Sequence, residues 1–125
     1  MTLANEVYQV AQFHWHFPSE HAVDGELTAG CIHIVHQKQG AQGYDGLLVV
    51  GILLVEGQES RFHQKAGFGD LPLQGSRPLA DALDLNDFAA LYAGHFYHYM
   101  GSLTTPPCAQ TVHWNVLATT HSISP

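Results

Sequence analysis

The sequence predicts a mostly β domain with little helix, on three observations. Val7–Phe17 carries Val7, Tyr8, Val10, Phe13, Trp15 and Phe17, all good strand formers. Leu47–Val55 is a nearly unbroken apolar run, of the length of a strand covered on both faces. Between Glu56 and Ser76 the chain has glycines and Pro72 but little helical periodicity.

The elements follow in order. Val7–Phe17 is the first strand, and Pro18 ends it because proline cannot donate to a ladder. Ser19–Gly25 is a turn, with Asp24-Gly25 as a hairpin signal. Leu27–His36 is the second strand, and Gln37–Gly46, rich in Gly and Gln, is a loop. Leu47–Val55 is the third strand. Glu56–Ser76 is expected as loop with one helical turn, and Pro78–Tyr92 fits a short helix through Leu79, Leu83 and Leu91. Phe96–Tyr99 is a short strand, Gly101–Pro107 a loop, and Thr111–Thr119 a fourth strand. Repeats and low-complexity tracts are absent from the sequence.

Composition limits the function classes. The chain has 125 residues, which sets one domain at most. It is 46% hydrophobic and 12% charged, a core-forming composition rather than a disordered one. The formal net charge is −7, and the only basic residues are Lys38, Arg61, Lys65 and Arg77. Without a basic stripe to neutralise phosphates, a nucleic-acid partner is not expected. No apolar run approaches the ~18 residues of a membrane span, and Met1–Glu6 lacks the basic-then-apolar pattern of a signal peptide. Two cysteines, Cys31 and Cys108, are too few to indicate a redox compartment.

The chemistry is carried by histidines. In an extended strand, side chains two apart share a face. In Gln12-Phe13-His14-Trp15-His16, His14 and His16 therefore project together with Gln12, while Phe13 and Trp15 project the other way. His33, in Cys31-Ile32-His33-Ile34-Val35-His36, completes a three-nitrogen set if the second strand lies beside the first. Three neutral imidazoles plus one open position suit a catalytic zinc, whereas a structural zinc closes all four positions. Two other readings stand beside this one. A chain with 10 histidines places some of them two apart by chance. His14-Trp15-His16 with Glu20 also mimics the His-x-His-x-x-x-Glu set of a cupin-like iron or manganese site, without the expected glycines.

Two further segments narrow the choice: Ser19-Glu20-His21, and Tyr99-Met100-Gly101-Ser102-Leu103-Thr104-Thr105-Pro106-Pro107. With the histidines, they resemble the α-class carbonic anhydrases from about Gln12 to Leu117. The resemblance implies a large central twisted, mainly antiparallel sheet with zinc at the bottom of a conical cleft. It implies a complete domain considerably longer than this chain, so residues 1–125 are expected to be a single truncated domain, short of N-terminal and C-terminal parts.

By the same resemblance, His14, His16 and His33 hold Zn(2+), and the reaction is reversible hydration of carbon dioxide to bicarbonate. Such a metal lowers the pKa of its water to roughly 7. Thr104 is the expected gatekeeper, donating to the Glu20 carboxylate, and Thr105 sits at the substrate side. Val35, Val49, Leu103, Val112 and Trp114 match the apolar pocket wall. Gln12 orients the first histidine, and His21 has a structural hydrogen-bonding role. A primary aromatic sulfonamide is expected to inhibit.

Three departures qualify the match. Cys31 stands where the family has a glutamate that accepts from the third histidine. A thiol is a weak acceptor, so Cys31→Glu is expected to tighten zinc. The family's shuttle histidine has no counterpart, so activity should rise with buffer; His63, His95, His98 and His121 are candidates only by residue type. Cys108 matches a cysteine that in some relatives pairs with an N-terminal one, and this sequence has none there. The alternative is a catalytically impaired or inactive carbonic anhydrase-like fragment or interaction domain, with zinc binding left open. The resemblance allows a secreted or periplasmic setting and leaves the oligomer open.

Overall fold

The computed structural model describes residues 1–125. A two-residue strand β1 (Thr2–Leu3) turns back through Ala4 and Asn5 into β2 (Glu6–His16). Both turn residues have positive φ, 49° and 65°, as a tight turn matching strand twist requires. A small hairpin, β3 (Ala22–Val23) and β4 (Glu26–Leu27), closes through Asp24 and Gly25 in the same way, at φ 52° and 81°. Then come β5 (Gly30–Lys38) and β6 (Leu47–Glu56). Helix α1 (Arg61–Lys65) is capped by Ser60, whose hydroxyl accepts from the His63 amide. A 3₁₀ turn (Leu85–Phe88), capped by Asp84, runs into α2 (Ala89–Tyr92). The chain finishes with β7 (Phe96–Gly101), β8 (Val112–Leu117) and β9 (His121–Ile123).

Seven strands form one sheet in the order β1-β2-β5-β6-β8-β7, with β9 added along β6. The pairings are antiparallel except β6 with β8 and β6 with β9, which are parallel. The expected mainly antiparallel, mostly β architecture is thus present, with a parallel seam at its centre. β6 is buried from Leu47 to Leu54, as its apolar run implies.

The register sorts side chains into two faces. Tyr8, Ile32, Ile34, Leu48, Val50, Ile52, Leu54 and Leu117 form the larger core, which Phe62 of α1 and Phe88 of the 3₁₀ turn cover. The opposite face carries Cys31, His33 and Val35 of β5, Val49 of β6, and Val112 and Trp114 of β8. A bulge between Val10 and Gln12 adds one residue to β2. It places Tyr8 and Val10 on the same face as Phe13 and Trp15, despite the change of parity, and leaves Gln12, His14 and His16 on the other.

Several sequence expectations shift. The second strand begins at Gly30 rather than Leu27, because Leu27 pairs with Ala22 in the small hairpin. Within Pro78–Tyr92 only the part from Leu85 is helical, since Asp84 caps it there. β1 and β9 are additional strands, each too short to show an alternating pattern.

Candidate metal centre

β2 and β5 bring the three histidines together. His14 pairs directly with His33, and His16 with Cys31, so the rings converge on one face. Ring centroids lie 4.9 Å apart for His14 and His16, 5.4 Å for His14 and His33, and 4.9 Å for His16 and His33. One nitrogen from each lies within 4.8 Å of the other two.

Hydrogen bonds select the inward nitrogens. His14 Nδ1 is 2.8 Å from Gln12 Oε1, leaving Nε2 free. His33 Nε2 is 2.9 Å from His21 Nε2 and 3.4 Å from Cys31 Sγ, leaving Nδ1. His16 Nε2 is buried without a hydrogen-bond partner; Glu20 Oε2, at 3.2 Å, is near it but out of line. A buried, unsatisfied ring nitrogen beside two others is what a cation would satisfy, so these residues fit a three-histidine metal site.

Electrostatics keep the set in its ligating form. Burial pushes the His33 imidazole down to about 3, aided by repulsion from His21, His16 and His14. Burial, with repulsion from His16, also lowers His14. Neutral imidazole is the metal-binding state. Burial raises the Cys31 thiol, so it stays protonated and is not a thiolate ligand.

An apolar wall stands on the same face. Val35, Val49, Val112 and Trp114 form one cluster, with Leu103 packed on it and Leu47 as a member the sequence did not single out. Trp114 donates from Nε1 to the Ser102 carbonyl at 3.0 Å, tying the loop after β7 to β8. Leu103 N bonds to Ala109 O at 3.0 Å, and Cys108 N to Thr105 O at 2.9 Å, closing that loop on itself.

Thr104 and Thr105 lie at the exposed tip of this loop. The expected Thr104-to-Glu20 hydrogen bond is not formed; the carboxylate faces His16 and lies 3.8 Å from His33 Nδ1. Of the four histidines considered for proton transfer, His63, His98 and His121 lie on the helix-covered side. His63 is also fully engaged, with Trp15 Nε1 donating to its Nε2 at 3.1 Å and Ser60 Oγ 2.6 Å from its Nδ1. His95 is exposed in the turn before β7.

Sequence reasoning gave His33 no partner beyond Cys31. The structure supplies His21, which a loop folds over the sheet. Ser19 Oγ donates to the His21 carbonyl at 3.0 Å and accepts from Thr28 N at 2.9 Å. No strand periodicity could have signalled that contact. A cleft of about 430 Å³ lies beyond, lined by Glu20, His21, Tyr97, Tyr99 and Val116 among others, and none of the three clustered histidines borders it.

A family model described as eukaryotic-type carbonic anhydrase matches residues 1–125. The chain is 36% identical over 123 residues to a carbonic anhydrase of Nostoc sp., covering 98% of this chain and 45% of that protein. It is 34% identical over 138 residues to carbonic anhydrase 6 of Homo sapiens, covering 94% and 45%. Among solved structures, the α-carbonic anhydrase of Thermovibrio ammonificans, in complex with the inhibitor sulfanilamide, superposes with a TM-score of 0.85 at 30% identity, over 98% of this chain and 52% of that one. A dioscorin complexed with ascorbate gives 0.83 at 29%, over 99% and 51%. The chain spans about half the length of these proteins.

Proposed function

Since the chain belongs to the eukaryotic-type carbonic anhydrase family, we propose that it binds one zinc ion and hydrates carbon dioxide reversibly to bicarbonate and a proton. The observation that carries this reading is the convergence of His14, His16 and His33 on the face that also holds the apolar wall. Zinc, when bound, supplies a nucleophile from water at neutral pH.

The chain's own residues do the rest. His14 and His16 offer Nε2, and His33 offers Nδ1. Gln12 Oε1 accepts from His14 Nδ1, fixing that ring's tautomer and angle. Val35, Val49, Leu103, Val112 and Trp114 offer an uncharged substrate a surface with no polar group to desolvate. Glu20 and Thr104 are the pair expected to orient the attacking oxygen. For this the carboxylate must turn from His16 to the Thr104 hydroxyl. His63, His98 and His121 lie across the sheet and His95 is exposed in the turn before β7, so hydration by this chain should depend on buffer for proton release.

Metal analysis should find one zinc per chain, lost in His14→Ala, His16→Ala or His33→Ala. Stopped-flow hydration should exceed the buffer rate, rise with buffer concentration, and be blocked by a primary aromatic sulfonamide. Full zinc in all three variants would sink the assignment. A second reading, a zinc-binding domain without catalysis, is favoured by the Thr104 hydroxyl, which lies at an exposed loop tip and does not bond the Glu20 carboxylate. Zinc-loaded, folded protein with no hydration above buffer would select it.

A further inference from the structure

His33 lies in a hydrogen-bonded chain of its own. His21 Nε2 is 2.9 Å from His33 Nε2, and His21 Nδ1 is 2.9 Å from Tyr99 Oη. Both imidazoles are buried, and both pack edge-on against Trp114, with centroids at 4.6 and 4.7 Å. We propose that His21 is the positioning residue of His33, accepting its Nε2–H where Cys31 offers only a thiol, and that Tyr99 fixes His21 in turn. This deepens the zinc reading and rests on it.

Proton bookkeeping gives the chain a direction. Two ring nitrogens 2.9 Å apart share one proton. His33 Nε2 faces His21, which leaves Nδ1, on the Glu20 side, to serve the three-histidine cluster; in that ligating form its proton is on Nε2 and points at His21. His21 accepts at Nε2 and therefore carries its own proton on Nδ1. That proton points at Tyr99, whose oxygen accepts. Each donor meets one acceptor, and each ring has one tautomer. Cys31 Sγ is farther from the same nitrogen, at 3.4 Å, and sulfur accepts weakly.

Other elements are arranged to admit the His21 ring. β6 places Gly51 opposite His33. A β-carbon there would lie 3.5 Å from His21 Nε2 and 3.4 Å from Val116 Cγ2, so any larger side chain would press on the ring. Ser19 holds the His21 carbonyl by donating its hydroxyl. Tyr99 reaches it from β7, stacked on Trp114 at 6.5 Å. Strand, loop and edge strand thus converge on one nitrogen of one ligand.

Two measurements on the full chain test this. In ¹⁵N-labelled, metal-free protein, two-bond proton–nitrogen spectra should show His33 as the Nε2–H tautomer and His21 as the Nδ1–H tautomer. A His33 protonated at Nδ1 overturns the proposal, whatever zinc does. Chelator competition then measures affinity. His21→Phe fills the space without an acceptor and should weaken zinc by about 10–100-fold. His21→Gln keeps an acceptor and should retain most of the affinity, which serves if the phenylalanine variant does not fold. Cys31→Glu should change little in the unaltered chain, contrary to the sequence expectation, but should restore zinc in the His21→Phe background. Unchanged affinity in His21→Phe, or equal tightening by Cys31→Glu in both backgrounds, overturns the proposal while leaving the zinc assignment intact. An unaltered chain that binds no zinc overturns the assignment itself, and the tautomer spectra then judge the hydrogen bond alone.

Discussion

At the residue scale, His63 shows how a buried histidine far from the metal face sets pH sensitivity. It is 1% exposed, accepts from Trp15 at one nitrogen and meets Ser60 at the other. Burial, with repulsion from the stacked His121, pushes its imidazole down to about 4. The unfolded chain protonates the same ring near 6.5, so between those values it binds more protons than the native state. The contribution is therefore complete above pH 6.5 and lost as pH falls toward 4. Metal-free protein should lose about 2 kcal/mol from this group alone between pH 7 and pH 5. Urea unfolding at both values, compared with His63→Phe, measures it; an equal pH slope in the two proteins would count against this account. The sequence offered His63 only as one of several histidines, because its role comes from burial and from Trp15 of β2, 48 residues away; only the Ser60 contact is local.

At the element scale, β2 has two halves in different phase, joined by the extra residue Ala11. Val10 pairs with His36 and Gln12 with Val35, so removing Ala11 joins neighbours whose partners are already consecutive. A one-residue deletion normally turns a strand's side chains to the wrong face. Here it should leave His14 and His16 facing His33, and zinc affinity in the Ala11 deletion should be unchanged. Inserting one alanine between His14 and Trp15 should abolish tight binding. Chelator competition on both decides it, and loss of zinc in the deletion would contradict the register argument. The period-two pattern of Gln12–His16 was legible because it is local and its two faces differ in chemistry. The bulge was not, since Tyr8 and Val10 keep the same apolar pattern with or without it. The run Leu47–Leu54 was legible as a buried strand, but its parallel partners β8 and β9 were not. Nothing in an all-apolar strand tells which neighbour lies on either side. Leu79 and Leu83 have helical spacing, yet the helix waits for the Asp84 cap.

At the scale of the whole molecule, the sheet ends on β7, which pairs only with β8. Phe96, Tyr97, Tyr99 and Met100 are all exposed on it, and its outer amides and carbonyls have no strand partner. An exposed, apolar edge is a template for pairing with another chain. The net charge of −7 opposes this only in part. The 125-residue chain should self-associate with rising concentration, more so in high salt, and Met100→Lys should reduce it without changing zinc affinity. Static light scattering across a concentration series reads this directly, and equal scattering from both proteins would refute it.

The parallel seam at the centre of the sheet also has a meaning in time. The hairpin-like pair β2 and β5 gathers the three clustered histidines from neighbouring stretches of chain. The apolar wall waits for Val112 and Trp114, which β8 brings to β6 from far along the sequence. Closing the longer loop costs more entropy, and non-local pairing is slow. In refolding, the histidine cluster is therefore expected to assemble before the apolar wall. If the proposed zinc binds at that stage, it would hold β2 and β5 in register while the remainder of the sheet arrives.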